Sequence, residues 1–96
     1  MYEIEFTELA LLDFEEAYLY YEAHRPGLGA DLHLCFEEGL ATIRRNPYFA
    51  IRVDDVRAYN IRRFPYQIFY RIKNEKVRVI AFFFGKRDPS VWLERI

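Results

Sequence analysis

Residues 66–84 read YQIFYRIKNEKVRVIAFFF, and this stretch decides the fold. Ile68, Tyr70 and Ile72 alternate with Gln67, Phe69, Arg71 and Lys73, the two-residue period of a strand with one face in the core. Asn74-Glu75 supplies a tight turn, after which Val77, Val79, Ala81 and Phe83 resume the alternation. A β-hairpin is therefore expected. On this pattern Phe82 and Phe84 point away from Val79 and Ala81. Three consecutive phenylalanines then require either that both sheet faces are covered or that something binds there.

Upstream of the hairpin, residues 57–64 read as another strand, ended by Pro65, which cannot donate to a sheet ladder. Residues 2–6 alternate as a short N-terminal strand. Between them the apolar period changes to that of helices. Leu11, Phe14, Tyr18 and Tyr21, with Ala10 and Ala17 beside them, form one stripe over 7–24, with Thr7 as N-cap. The carboxylates after Thr7 suit the positive end of the helix dipole. Arg25-Pro26-Gly27 breaks this helix. Leu32, Phe36, Leu40 and Ile43 form a second stripe over 28–45, with Cys35 and Gly39 beside it, Arg44 and Arg45 in the last turn and Asn46-Pro47 as the stop. Two helices joined by about three residues pack as an antiparallel hairpin. Asp88-Pro89-Ser90 opens a last helical turn carrying Trp92. The expected fold is α+β: β-α-α-β-β-β, a helical hairpin on a small, mainly antiparallel twisted sheet with a short C-terminal helical turn, forming one domain over 1–96.

Composition agrees. Of 96 residues, 52% are hydrophobic and 19% aromatic, with four Gly, four Pro and one Cys. That excludes a disordered tail, a collagen-like chain and a disulfide scaffold. No apolar run is long enough for a membrane span, and the acidic start is unlike a signal peptide, so a reducing, cytoplasmic setting is expected. The net charge of −1 conceals a dipole: residues 1–43 carry ten acids and one base, whereas residues 44–96 carry thirteen Lys or Arg and five acids. Such poles steer charged partners or attract each other within the fold. An isoelectric point near 6.1 argues against a dedicated nucleic-acid binder.

Chemistry motifs are sparse. Cys35, His24 and His33 are the only soft or borderline metal ligands, and His33 and Cys35, two apart on a helix, point in different directions; neither a metal nor another cofactor is expected. The histidines sit among acids that would repel a phosphodiester, and read as ordinary surface residues. Arg57, Arg62, Arg63, Arg71, Lys73, Arg78, Lys86 and Arg87 form a cationic set suited to a phosphate, or equally to a solvated strand face. Tyr18, Tyr20 and Tyr21 cannot all be buried against one partner, so at least one is exposed or lies in an interface.

Several motifs in this order resemble the RelE/ParE superfamily of type II toxin–antitoxin toxins. They are Asp13-Phe14-Glu15-Glu16-Ala17 leading to Tyr20-Tyr21-Glu22, Gly27-Leu28-Gly29, residues 43–47, Arg63-Phe64-Pro65-Tyr66-Gln67-Ile68-Phe69-Tyr70, and Gly85-Lys86-Arg87-Asp88-Pro89 with Trp92. The resemblance implies a small cytoplasmic toxin neutralised by an antitoxin protein. Its two branches differ in target: RelE-like members cleave mRNA on the ribosome, and ParE-like members, the plasmid stabilisation proteins, poison DNA gyrase without being nucleases. In the RelE-like catalytic pattern, lysines would fall at Ala58 and Asn60, an arginine at Gln67 and a tyrosine near Trp92; only Arg87 matches. Some relatives also place a histidine where Phe84 stands. Gln cannot neutralise a phosphate and Trp cannot exchange a proton as Tyr does, so the resemblance favours the ParE-like branch.

The expectation is a gyrase poison that acts by binding, with no catalytic residues, no membrane partner and no direct nucleic-acid contact. Arg87 and Trp92 are its target-binding residues, and Tyr18, Tyr21 and Phe84 take an amphipathic antitoxin segment. The basic sheet would suit an acidic antitoxin. The alternatives are a ribosome-dependent endoribonuclease using Arg62, Arg63 and Arg87, or a degenerate, non-toxic antitoxin-binding module.

Overall fold

The computed structural model describes residues 1–85, 88 and 90–95, the Val91 side chain excepted. In chain order it has β1 (Glu3–Phe6), α1 (Glu8–His24), α2 (Leu28–Arg45), β2 (Ile51–Val53), β3 (Val56–Asn60), β4 (Tyr66–Lys73), β5 (Lys76–Phe84) and α3 (Ser90–Leu93). The strands form one sheet in the order β1-β5-β4-β3-β2. Among the described residues only the β1–β5 pair is parallel.

Local chemistry sets the helix ends. Thr7 Oγ1 accepts the Ala10 N–H at 3.1 Å, the expected N-cap of α1. At the hairpin between the helices Gly27 has φ +91°, the left-handed region that only glycine enters without strain. The Glu22 carboxylate accepts the Gly27 and Gly29 N–H groups, at 3.0 and 2.9 Å, and so satisfies free donors at the start of α2. A Cβ at Gly29 would meet Glu22 Oε1 at 2.9 Å and the Tyr18 ring at 3.0 Å, so this glycine permits the close approach of the two helices.

The helices cover one sheet face. Leu32, Phe36, Leu40 and Ile43 from α2 pack with Ile68, Tyr70, Val77, Val79 and Phe82. From α1, Ala10, Asp13 and Ala17 are buried, while Phe14, Tyr18 and Tyr21 are half-buried. Leu11, expected in that stripe, is 52% exposed. The opposite face has its own smaller core of Val56, Phe69, Ile80, Ala81, Phe83 and Trp92.

Two features of the sheet depart from the sequence expectation. The strand expected over 57–64 is Val56–Asn60, and the short β2 precedes it through a turn in which Asp54 has φ +51°. The β4–β5 register also slips between Phe69/Ala81 and Tyr70/Val79, leaving Ile80 as a bulge. One extra residue flips the facing of everything beyond it. Phe82 therefore joins Val77 and Val79 beneath the helices, while Ala81 and Phe83 turn to the other face. The expectation that Phe82 points away from Val79 is corrected by this bulge, and the three phenylalanines are accommodated by cores on both faces.

Candidate partner-binding surfaces

β1 ends opposite Val79, so among the described residues no strand neighbours the outer edge of β5 beyond it. Two side chains close part of that edge. Asp13 Oδ2, from α1, accepts the Phe82 N–H at 3.1 Å. Arg95, from the C-terminal turn, donates to the Ile80 carbonyl at 3.0 Å and to Asp13 Oδ2 and Oδ1 at 2.6 and 3.2 Å. Its guanidinium lies 4.9 Å above the Phe83 ring, a favourable cation–π placement. The turn begins where Asp88 Oδ1 accepts the Ser90 N–H at 3.0 Å. It inserts Trp92 against Phe69, ring centroids 4.6 Å apart.

Of the two expected target-binding residues, Arg87 lies outside the described residues. Trp92 is 1% exposed: its indole is part of the second core, and what it presents outward is the position of the turn. Arg62 and Arg63 sit in the β3–β4 connection, each beside an α2 carboxylate, Glu38 and Asp31 respectively, at 3.5 Å. Arg63 has φ +68°. That connection meets the end of β5, where the Gly85 N–H donates to the Pro65 carbonyl at 2.8 Å.

The cross-strand rows place Ala58 beside Phe69 and Ala81, and Asn60 beside Gln67. Gln67 is buried, and Arg52 Nη1 donates to its Oε1 at 3.0 Å, so β2 brings a guanidinium to a position that β4 leaves neutral. At the far end of the sheet Arg71 faces Arg78 and Lys73 faces Lys76. Like charges directly opposite are unfavourable, and Asp55, Glu5 and Glu3 flank Arg71, Arg78 and Lys76 at 3.0 to 4.0 Å. Much of the basic sheet is thus a ladder of paired charges. His33 pairs with Glu37 at 3.3 Å and His24 Nδ1 lies 2.8 Å from the Tyr20 carbonyl. Among the described residues no three His, Cys, Asp or Glu gather to hold a metal ion.

The expected antitoxin-binding aromatics are brought only partly to the surface. Tyr18 leans on Phe14 and against Gly29. Tyr21 is wedged between Phe64 and Tyr66, at 4.9 and 6.0 Å, and burial pushes its phenol above the usual tyrosine pKa. Phe84 is 40% exposed and meets Tyr66 edge-on. A larger exposed apolar set lies on α1, of which the sequence pointed only to the tyrosine: Leu9, Leu12, Leu19 and Tyr20 are 49%, 55%, 59% and 56% exposed. Full burial of one leucine is worth about 1.5–3 kcal/mol, a stabilisation that the chain by itself forgoes at these positions. Their spacing of three and seven residues was the available signal. Between α1 and β5 a shallow groove of about 160 Å³ is lined by Asp13, Glu16, Ala17, Tyr20, Tyr66 and the Phe82–Phe83 pair.

Comparison with known proteins agrees with this architecture. Residues 4–89 match the family described as "ParE toxin of type II toxin-antitoxin system, parDE". The two-helix hairpin on a five-stranded sheet is the fold of small toxins of the RelE/ParE superfamily, and within it the chain belongs to the ParE toxin family. A chain of the chromosomal ParDE system from P. aeruginosa superposes with a TM-score of 0.75 at 17% identity, covering 85% of this chain and 94% of that one. A chain of the intact E. coli RelBE toxin–antitoxin complex gives 0.68 at 20% identity, covering 91% and 100%. The isolated E. coli RelE toxin gives 0.66 at 19%, covering 99% and 98%. No curated protein matches the chain. Among the described residues no helix is long and apolar enough to cross a membrane.

Proposed function

We propose that this chain is a type II toxin that works by binding rather than by catalysis, with DNA gyrase in the cytoplasm as its target and an antitoxin protein as its neutralising partner. One observation carries this reading: the sheet face opposite the helices, around Ala58, Phe69, Ala81 and Phe83, is an apolar core covered by Trp92. Cleaving RNA without a metal needs cations converging on one phosphate and a group to move protons. Arg62 and Arg63 are each beside a carboxylate of α2, and Gln67 and Asn60 carry no charge. Arg87 is assigned to target contact, and Trp92 to holding the C-terminal turn.

A second reading, a ribosome-dependent endoribonuclease, is favoured by the Arg52–Gln67 hydrogen bond, which places one cation over the middle of the sheet. Induced expression of the chain without antitoxin separates the readings when growth, DNA-damage response and transcript integrity are followed together. Arrest with DNA damage and intact transcripts supports gyrase poisoning. Arrest with cut transcripts and no DNA damage supports the endoribonuclease. Soluble, folded protein with unimpaired growth points to a non-toxic antitoxin-binding module.

A further inference from the structure

The side of the sheet turned away from the helices has two halves. One is the apolar core of Val56, Phe69, Ile80, Ala81, Phe83 and Trp92. The other, next to the β4–β5 turn, is cationic: Arg71 stands opposite Arg78, and Lys73 opposite Lys76. Alternation along β4 puts Arg71 and Lys73 on the face of Phe69. Along β5, Lys76 and Arg78 alternate with Val77 and Val79, which lie beneath the helices. With Ile72 and Asn74 these four side chains line an open cleft of about 610 Å³, flanked by Glu5 and Asp55. We propose that this cleft grips the sugar–phosphate backbone of duplex DNA, so that the chain touches the DNA as well as the enzyme that it poisons. The inference rests on the gyrase reading above and adds a second contact to it.

Three observations select this occupant. The rows Arg71–Arg78 and Lys73–Lys76 are two residues apart along the strands, about 7 Å, a step comparable to that between successive phosphates of one nucleic-acid strand. Four like charges in two facing rows repel one another in the free chain, and β4 and β5 themselves carry no acid; a polyanion relieves that repulsion. The flanking carboxylates come from other elements: Asp55 is 3.0 Å from Arg71, Glu5 3.5 Å from Arg78 and Glu3 4.0 Å from Lys76. Exposed pairs of this kind are weak enough for a phosphate to displace. Lys73 is exposed and forms no ion pair among the described residues. The cleft also shares its sheet face with Trp92, so one side of the molecule meets the enzyme and its DNA together. It is separate from the positions of the RelE-like catalytic pattern, since Lys73 lies six residues along β4 from Gln67, about 20 Å. The isoelectric point near 6.1 averages this cluster with the acidic helices and conceals it, and here the proposed contact departs from the expectation of no nucleic-acid binding.

The test uses the purified chain and a short fluorescent DNA duplex, with anisotropy read at several salt concentrations and supercoiling by gyrase measured on the same preparation. Lys73→Gln/Lys76→Gln is expected to weaken DNA binding at least about tenfold and to lower the slope of log Kd against log salt by about 2, with Tm unchanged. Lys73→Arg/Lys76→Arg should keep both affinity and slope. If the glutamine pair does not fold, Arg71→Gln/Arg78→Gln replaces it with the same expectation. No salt-dependent binding by the unmodified chain, or unchanged affinity and slope in the glutamine variants, would overturn the cleft; inhibition of gyrase by the same protein would leave the gyrase reading intact. Full gyrase activity beside DNA binding of the expected slope would overturn the gyrase reading and leave the cleft standing. Tighter binding of an RNA duplex than of the DNA at equal salt would overturn the assignment to DNA. Loss of antitoxin affinity in the glutamine pair with DNA binding unchanged would give the cleft to an acidic antitoxin segment and overturn the proposal.

Discussion

Asp13 and Arg95, 82 residues apart in sequence, share two hydrogen bonds of 2.6 and 3.2 Å at the open edge of β5. The pair does two jobs. It ties the C-terminal turn to α1, and it occupies the Phe82 N–H and the Ile80 carbonyl, which a neighbouring strand would otherwise take. Edge groups left unpaired invite association with other chains.

Breaking this pair from one side should be costly, because Asp13 is buried and would keep only the Phe82 N–H. Arg95→Ala is expected to lose about 3 kcal/mol, as removal of one partner of a buried pair typically does. For a domain of this size that is a Tm decrease of roughly 15 °C. Asp13→Asn/Arg95→Met, which removes both charges and keeps an acceptor for Phe82, should lose less than Arg95→Ala. Urea unfolding of the single and double variants measures the coupling directly.

Trp92 should act through packing. Its ring is 1% exposed and lies 4.6 Å from that of Phe69. Trp92→Ala is expected to cost about 3–5 kcal/mol, a large share of the ~5–15 kcal/mol available to a small domain, and to reduce toxicity by undocking the turn. Trp92→Phe should retain most of both. Toxicity lost in Trp92→Phe while the fold and turn stay intact would instead mean that the indole itself contacts the target.

The two glycines of the helix hairpin should respond for different reasons. Gly27 has φ +91° with open space around its Cα, so Gly27→Ala should cost about 1–2 kcal/mol of backbone strain. At Gly29 an added Cβ meets Glu22 and Tyr18 at 2.9–3.0 Å, and overpacking of that kind costs about 1–3 kcal/mol. Removing the obstruction distinguishes them: Tyr18→Ala should lessen the effect of Gly29→Ala and leave that of Gly27→Ala unchanged. Thermal unfolding of the two glycine variants, of Tyr18→Ala and of the two double variants is the check.

Alkaline stability should depend on Tyr70. Its hydroxyl donates to the Pro47 carbonyl at 2.7 Å, and burial pushes its pKa up to about 12 against an ordinary 10.0, with the nearby Arg57 acting in the opposite direction. A phenol whose pKa is higher in the folded state adds stability that is complete below the unfolded pKa. That stability is lost as pH rises through the folded one. The loss should therefore fall between pH 10 and 12 and amount to about 2–3 kcal/mol. Tyr70→Phe should cost about 1 kcal/mol at neutral pH and show a flatter decline in denaturant midpoints over that interval.

What the sequence made legible was local. Both helices, the β4–β5 hairpin and its turn follow from periodicity and from Pro26, Pro47, Pro65 and Asn74-Glu75, the last two residues having φ of +51° and +63°. Four-residue β1 was legible as well, from the alternation over 2–6. Three features were hidden because their causes are not local. Three-residue β2 is too short to show a period. Nothing in Val79-Ile80-Ala81 marks the bulge that moves Phe82 to the helical face. Asp13 was read within a motif, but its partner lies at the other end of the chain. The exposed leucines of α1 were in plain view, yet Leu11 and Phe14 between them made the helix apolar on more than one side, so a single stripe was an incomplete description.

The central claim, a toxin that disables gyrase by binding, is tested most directly with purified components: this chain, DNA gyrase, ATP and relaxed plasmid. The account predicts loss of supercoiling and accumulation of linear plasmid released by detergent from trapped enzyme–DNA complexes, both reversed by the antitoxin. Full gyrase activity in the presence of excess folded chain, together with cleavage of mRNA on isolated ribosomes by the same preparation, would contradict it.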